Sequence, residues 1–375
     1  MGNCNSANGA ATEARPDASP LPHSFVDTIE SCRGGTVVLS GCGGGYDVVG
    51  TAPFLYHIQK VASDVVLINL TTTSPSLLRD FGEPVSGCRH AHRINPGVFF
   101  QRQNYSPYFP EALFANSVKL PVYAIGRDAS ITEVSTAYRK ILAAHKCRMA
   151  RAIFLAKGGS DVLFTGDERG NAAPAEDIMH LRSVLAVPAE HRAVLTLGFN
   201  INCGRGILAW EVEDRLNQLR ESDAVLFEER LSSDRTDATY YVDTVTKCDP
   251  SKTVVQSLVC AAIEGRRGTY TPDCLVSRIH QNVVPLTCRT ATLFGFDMDA
   301  VARGIKYLDC IPNSADVRGV REAINDYKEE KFKNQNDWSM EGIQQEKAMC
   351  IGPKATLPPL PEEAPVSSDG CALSA

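Results

Sequence analysis

The chain has 375 residues, 43% of them hydrophobic, with 38 basic against 44 acidic side chains and a formal net charge of −6 at pH 7. That length and apolar content belong to a folded chain, and acids and bases mixed along it leave no basic stripe, which excludes nucleic acid as the main ligand. The 13 cysteines are scattered, odd in number and form no CxxC pair, which fits reduced thiols in a cytosolic setting better than a disulfide framework.

The chain opens MGNCNS, so Gly2 and Ser6 meet the M-G-x-x-x-[ST] pattern for N-myristoylation, and Cys4 stands where a palmitoyl thioester would follow. One myristoyl chain gives only marginal membrane binding, so the expectation is a doubly acylated anchor that holds the protein at the cytoplasmic face of a membrane. Residues 1–23 read as a disordered segment carrying that lipidation site. Apolar runs such as 64–70 and 193–198 are strand-length and far short of the roughly 20 residues of a membrane span.

From about residue 24 to 332 the pattern is that of one Rossmann-like α/β domain, a mostly parallel sheet with crossover helices. Strands are predicted at 37–40, 65–70, 122–126, 152–156 and 194–198, with a sixth apolar run at 224–227. Helices are predicted at 48–62, 131–146, 175–185 and 208–220. Beyond about residue 250 the grammar changes: a helix at 250–264, β-rich stretches at 275–280 and 288–296 that read as a small antiparallel addition, then helices near 297–307 and 315–330. Residues 333–375 form a Pro- and acid-rich tail too polar to build a core. Its end, GCALSA, places Cys371 one residue too far from the terminus for a prenylation box.

The chemistry concentrates in two glycine clusters. In the first, GCGGGYD, Gly41, Gly43, Gly44 and Gly45 close a predicted strand and open a helix. Such a junction turns backbone N–H groups toward an anion and removes the Cβ atoms that would block its approach. No Lys-Ser/Thr pair follows, which excludes a P-loop NTPase, and Asn69 stands at the end of the second strand where a dinucleotide enzyme carries an acid. Two readings of Asp47 stand side by side: a helix-capping carboxylate, or a group that binds a metal or a ligand hydroxyl. In the second cluster, KGGSDVLFTGDERG, Gly158, Gly159, Asp161, Asp167 and Glu168 follow another strand at the same sheet edge, where open α/β sheets bind ligands.

The expected ligand is a small anionic metabolite bearing a phosphate or carboxylate. In the metal-assisted enzyme version, Asp161, Asp167 and Glu168 hold Mg²⁺ or Mn²⁺, and Asp47, Asp161 and Glu168 carry the catalysis. The alternative is a non-catalytic sensor or scaffold module using the same pocket. Weaker candidates are Cys88, His90 and His92, which alternate as metal ligands would on an extended strand, and Cys42 and Cys203 as glycine-flanked thiols. The segment 94–109, dense in aromatics, reads as a lid or a packed connection.

The two clusters resemble an uncharacterised protein family with archaeal, bacterial and scattered eukaryotic members, marked by a G-x-G-G-G-G-D-V-x-G-like loop and a later G-G-D-V-L…G-x-E-x-G-x-x-x-P-x-x-D. The first motif corresponds to Gly41, Gly43, Gly44, Gly45, Asp47, Val48 and Gly50, with Tyr46 in place of the fourth glycine. The second corresponds to Gly158, Gly159, Asp161, Val162, Leu163, Gly166, Glu168, Gly170, Pro174 and Asp177, with Ser160 inserted. The resemblance implies a Rossmann-like fold and a shared site, and supplies no reaction.

Overall fold

A computed structural model describes residues 21–98, 107–168, 170, 174–201, 207–277, 279 and 285–333. By contact density the chain divides into a unit Met1–Lys331 and a unit Phe332–Ala375, and the sheet and both glycine loops belong to the first. The lipidation residues Gly2 and Cys4, and the tail from residue 334 onward, lie outside the described residues.

In chain order the elements are α1 (Phe25–Ser31), β1 (Thr36–Gly41), α2 (Ala52–Val61), β2 (Asp64–Thr71), α3 (Pro75–Phe81), β3 (Glu83–Pro84), β4 (Ala91–Ile94), α4 (Pro110–Val118), β5 (Val122–Gly126) and α5 (Ile131–Ala144). There follow β6 (Ala150–Gly158), α6 (Ala175–Leu185), β7 (Ala189–Leu197), α7 (Ala209–Glu221), β8 (Val225–Arg230), α8 (Thr236–Lys247), α9 (Val254–Ile263), β9 (Thr292–Asp297), α10 (Met298–Gly304) and α11 (Val317–Phe332). The nine strands form one sheet in the order β3-β4-β5-β2-β1-β6-β7-β9-β8. Its five central strands are parallel, and both flanks are antiparallel. This is a Rossmann-like α/β fold.

Strand periodicity builds the two layers of core. Val38 of β1 and Ile153 and Leu155 of β6 face α5, α6, α7, α10 and α11, while Val37 and Leu39 of β1 and Ala152 and Phe154 of β6 face α1, α2, α4, α8 and α9. Central strands buried on both faces therefore read as continuous apolar runs, which is why they are legible in the sequence.

The helix expected at 48–62 begins later. A 3-10 turn at Tyr46–Thr51 precedes α2, and Pro53 sits in the first turn of α2, where its missing N–H costs nothing. The β-rich addition needs correcting. Of its two stretches, only β9 is a strand, and it enters the main sheet between β7 and β8. The stretch at 275–280 is not extended in its described residues: Val276 N–H donates to Asp273 O and Ile279 N–H to Leu275 O, so the chain coils. Leu275 and Ile279, four residues apart, serve a helical turn as readily as a strand face, and Leu275 is buried in the core.

Along the parallel strands the chain runs β1, β2, β5 to one side and then crosses to β6 and β7 on the other. The strand order thus reverses between β1 and β6. Gly41, the last residue of β1, is in register with Asn69 of β2 and Ala156 of β6, so both glycine clusters leave the sheet side by side at the crevice between oppositely directed crossovers. That topological switch point is where open α/β sheets take their ligands.

Candidate functional site at the switch point

The first loop is shaped by what packs on it. A Cβ on Gly43 would stand 2.0 Å from Asp177 Oδ1 and 3.1 Å from both Asp47 Oδ2 and Lys157 Nζ, so glycine is needed for polar side chains to reach the backbone. Gly45 adopts φ +84°, a conformation L side chains rarely take, and Tyr108 Oη lies 2.3 Å from where its Cβ would be. Cβ atoms on Gly41 and Gly44 would collide with Asn69 and Thr72, and one on Gly158 would come within 3.0 Å of Val255 and Asp47. The bare backbone is covered by the protein's own groups.

Asp47 is the centre of that packing. It does not cap the 3-10 turn, whose N-cap is Gly45 with no side-chain bond. The Gly43 N–H donates to its Oδ2 at 3.0 Å, and the Gly158 N–H donates to its Oδ1 at 3.2 Å, across 111 positions of sequence. One buried carboxylate thereby ties the two glycine loops together. The donors that the sequence assigns to a ligand anion are taken up here by an aspartate side chain.

Lys157, the penultimate residue of β6, supplies the positive charge. Its Nζ lies 3.0 Å from Asp177 Oδ1, 3.4 Å from Asp47 Oδ2 and 3.8 Å from Asp161 Oδ2, with only 12% of the side chain exposed. Burial alone would lower the ammonium, but Asp177, Asp47 and Asp161 outweigh it and hold it well above the usual lysine range. Burial raises the Asp47 carboxyl, and Lys157 and the two backbone donors oppose that rise. Sequence reasoning does not single out Lys157. The available signal is a lysine that closes an apolar strand directly before a glycine pair, which places a charge at the ligand edge of the sheet.

The remaining predicted acids do not join this cluster. Glu168 accepts from the Thr165 and Gly166 N–H groups, each at 2.8 Å, and from Thr165 Oγ1 at 3.0 Å, which closes its own loop. Asp167 pairs with Lys306 and Lys331 on the outer side of that loop. Among the described residues no group of three or more His, Cys, Asp or Glu is placed to hold a metal ion. The donor set expected for Mg²⁺ or Mn²⁺, Asp161 with Asp167 and Glu168, is split by these pairings, and Asp161 faces an ammonium. These residues do not fit the metal.

Both loops are braced from outside. Asn69 Nδ2 donates to Gly45 O at 3.0 Å and to Glu111 Oε1 at 2.6 Å, and Thr73 Oγ1 donates to Glu111 Oε2 at 2.8 Å, so the acid near the end of β2 arrives from α4. Gln256 Nε2 of α9 donates to Tyr46 O at 3.2 Å. The second loop is held by cations: Lys328 Nζ of α11 donates to Glu168 O at 3.3 Å and Gly170 O at 2.5 Å, and Arg215 Nε of α7 donates to Leu163 O at 2.6 Å. Gly159, at φ +103°, donates its N–H to Leu197 O at 2.9 Å, which joins the loop to β7.

Beneath the first loop, His180 Nδ1 is 2.8 Å from Cys42 O, which can only accept, so that nitrogen carries the hydrogen. Nε2 lies 2.6 Å from the Tyr138 hydroxyl, which donates to Ser40 Oγ at 2.8 Å. Burial lowers the imidazole to about 4, so it stays neutral. Burial also pushes the Cys42 thiol well above its usual range, which leaves it no thiolate character, and Cys203 lies outside the described residues. Cys88 and His90 lie outside any strand and only His92 is on one, so the three do not share an extended face.

Among the described residues, no helix is long and apolar enough to cross a membrane. No protein-family model, curated protein or solved structure matches this chain.

Proposed function

We propose that the protein binds a small anionic metabolite, bearing a phosphate or carboxylate, in the switch-point crevice over the carboxyl ends of β1 and β6. The observation that carries the proposal is the junction of Gly43, Gly158, Asp47 and Lys157: two backbone donors and one ammonium already arranged around an oxyanion at the place where open α/β sheets take ligands. A ligand anion engages this edge by sharing or taking over the donors that Asp47 now uses.

Binding without turnover is the version the geometry favours. Asp47 and Glu168 spend their carboxylate oxygens on backbone N–H groups, and Asp161 faces Lys157, so none of the three stands as a ready base or metal ligand. We further propose that acyl chains on Gly2 and Cys4 tether this module to the cytoplasmic face of a membrane, as the N-terminal pattern implies.

The test is a thermal-shift screen of the full chain against nucleotides, sugar phosphates and small carboxylates, each with and without Mg²⁺. A ligand that binds only the folded state raises the unfolding midpoint in proportion to its concentration over Kd. A flat response across the panel contradicts the proposal, and stabilisation that requires Mg²⁺ revives the metal-assisted version.

A further inference from the structure

We propose that Asp177 is the neutral member of the switch-point cluster: its carboxyl holds a proton at neutral pH, which cuts the uncompensated negative charge around Lys157 from two to one, and the junction of the glycine loops is therefore proton-linked. The proposal concerns the ligand-free protein and does not depend on any metabolite.

Three carboxylates stand within ion-pair distance of one ammonium. If all were ionised, the cluster would carry two uncompensated negative charges inside the fold, an arrangement that buried groups resolve by taking up a proton. Geometry indicates which acid takes it. Both oxygens of Asp47 receive backbone N–H donors, which favour its ionised form. Among the described residues, no backbone N–H or hydroxyl donates to either oxygen of Asp177: the Lys157 ammonium, 3.0 Å from Oδ1, is its one polar neighbour, and the residue is only 1% exposed. A buried carboxylate that shares one ammonium with two other acids and receives no backbone donor is costly to keep ionised.

The surroundings on every side agree. From β6 comes Lys157, and from the turns after β1 and β6 come Asp47 and Asp161. The Cys42 thiol donates to the Asp177 carbonyl at 3.7 Å, a main-chain contact that does not involve the carboxyl. The Tyr307 hydroxyl, held far above its usual range by burial first and then by Glu168 and Asp177, stays neutral. On α6 itself, Glu176 pairs outward with Arg321 at 3.8 Å, and His180 is neutral and bonded to Cys42 O. Among the described residues, Lys157 is the cation within ion-pair reach of Asp177. As the third residue of α6, Asp177 feels a helix end that favours an anion, a first-turn effect smaller than desolvation beside two carboxylates. Burial first, and then Asp161 and Asp47, raise its carboxyl well above the usual range, with Lys157 opposing them.

The sign follows. A carboxyl raised in the folded state contributes stability that is fully present below its unfolded value of about 3.9 and is lost as pH rises through the folded value. Asp177→Asn keeps the shape and mimics the protonated acid. It is expected to unfold at pH 7 no earlier than the wild type and to flatten the wild-type decline in midpoint between pH 4 and pH 9. In the wild-type infrared spectrum a protonated-carboxyl C=O band is expected at pH 7, to be lost in Asp177→Asn. An unfolding midpoint for Asp177→Asn well below wild type at pH 7, with the pH slope unchanged, overturns the proposal. Should the variant not fold, the wild-type spectrum still tests the proposal: the absence of any buried protonated-carboxyl band at pH 7 overturns it.

Discussion

Asp47 Oδ1 accepts the Gly158 N–H at 3.2 Å, and through this bond the loop that ends β1 is fastened to the loop that ends β6. The same carboxylate holds Gly43 with its other oxygen, so one side chain sets the width of the crevice at the switch point. Asp47→Ala leaves two buried N–H groups and the Lys157 ammonium short of a partner, and should cost about 2–4 kcal/mol by the usual penalties for unmet buried donors and broken buried ion pairs. Asp47→Asn, which can accept from only one of the two amides, should cost less. Urea denaturation of both variants checks the order.

Removing the cation should be pH-dependent in a specific direction. Lys157→Met leaves Asp47, Asp161 and Asp177 without their shared partner, and breaking such a buried pair typically costs about 3–5 kcal/mol. Asp47 and Asp177 are already raised in the wild type, and losing Lys157 raises them further. The variant's deficit should therefore be smallest at low pH, where the raised acids are protonated in the folded state, and grow as pH rises toward neutrality. Denaturation at pH 4.5 and 7.5 measures the difference.

His180 titrates the other way. Its folded value of about 4 lies below the unfolded value of about 6.5, so it contributes stability that is fully present above pH 6.5 and is lost as pH falls toward 4. A gap of roughly 2.5 units corresponds to about 3 kcal/mol at most. Nitrogen-detected NMR should find the ring neutral at pH 5.5 with its hydrogen on Nδ1, and a midpoint near 6.5 would contradict the burial argument.

The glycines differ in what they can tolerate. Gly43→Ala drives a Cβ to within 2.0 Å of Asp177 and should destabilise by about 1–3 kcal/mol, the range for overpacking. Gly50→Ala, whose Cβ would meet nothing closer than Gln256 Nε2 at 3.4 Å, should stay within about 0.5 kcal/mol of wild type. Equal thermal midpoints for the two would show that the close approach at Gly43 is not tight.

Lys328 of α11 fastens the second loop through the carbonyls of Glu168 and Gly170. Replacing it with Met removes a charge-assisted bond worth about 1.5–3 kcal/mol. Hydrogen exchange should quicken at 164–168 while β1 and β2 keep their protection. Uniform quickening across the sheet would place Lys328 in global stability instead.

The central strands were legible because strands buried on both faces leave unbroken apolar runs, and 122–126 coincides with β5. Helix α8 was not, because TDATYYVDTVTK is rich in Thr, Tyr and Val and shows its apolar side only at Ala238, Tyr241 and Val245. The stretch 275–280 reads as a strand because two apolar residues four apart fit both periods. The glycine clusters are expected at one edge of the sheet, and both leave it side by side at the switch point. Their acids could not be sorted from sequence, since whether Asp47 meets Gly158 or Glu168 closes on Thr165 depends on contacts set by the folded loops. Lys157 is not legible in the sequence because one lysine beside glycines carries no period or motif.

The most direct measurement is calorimetric titration of the wild type and of Asp161→Asn with the phosphate- or carboxylate-bearing compounds that raise the unfolding midpoint. Asp161 is the acid farthest from the Lys157 ammonium, and its loss leaves the Asp47 clamp in place. Binding by the wild type is expected, and removing one negative charge from the crevice should tighten it several-fold. No saturable heat from any such compound, or affinity indifferent to Asp161→Asn, would contradict anion binding at the switch point.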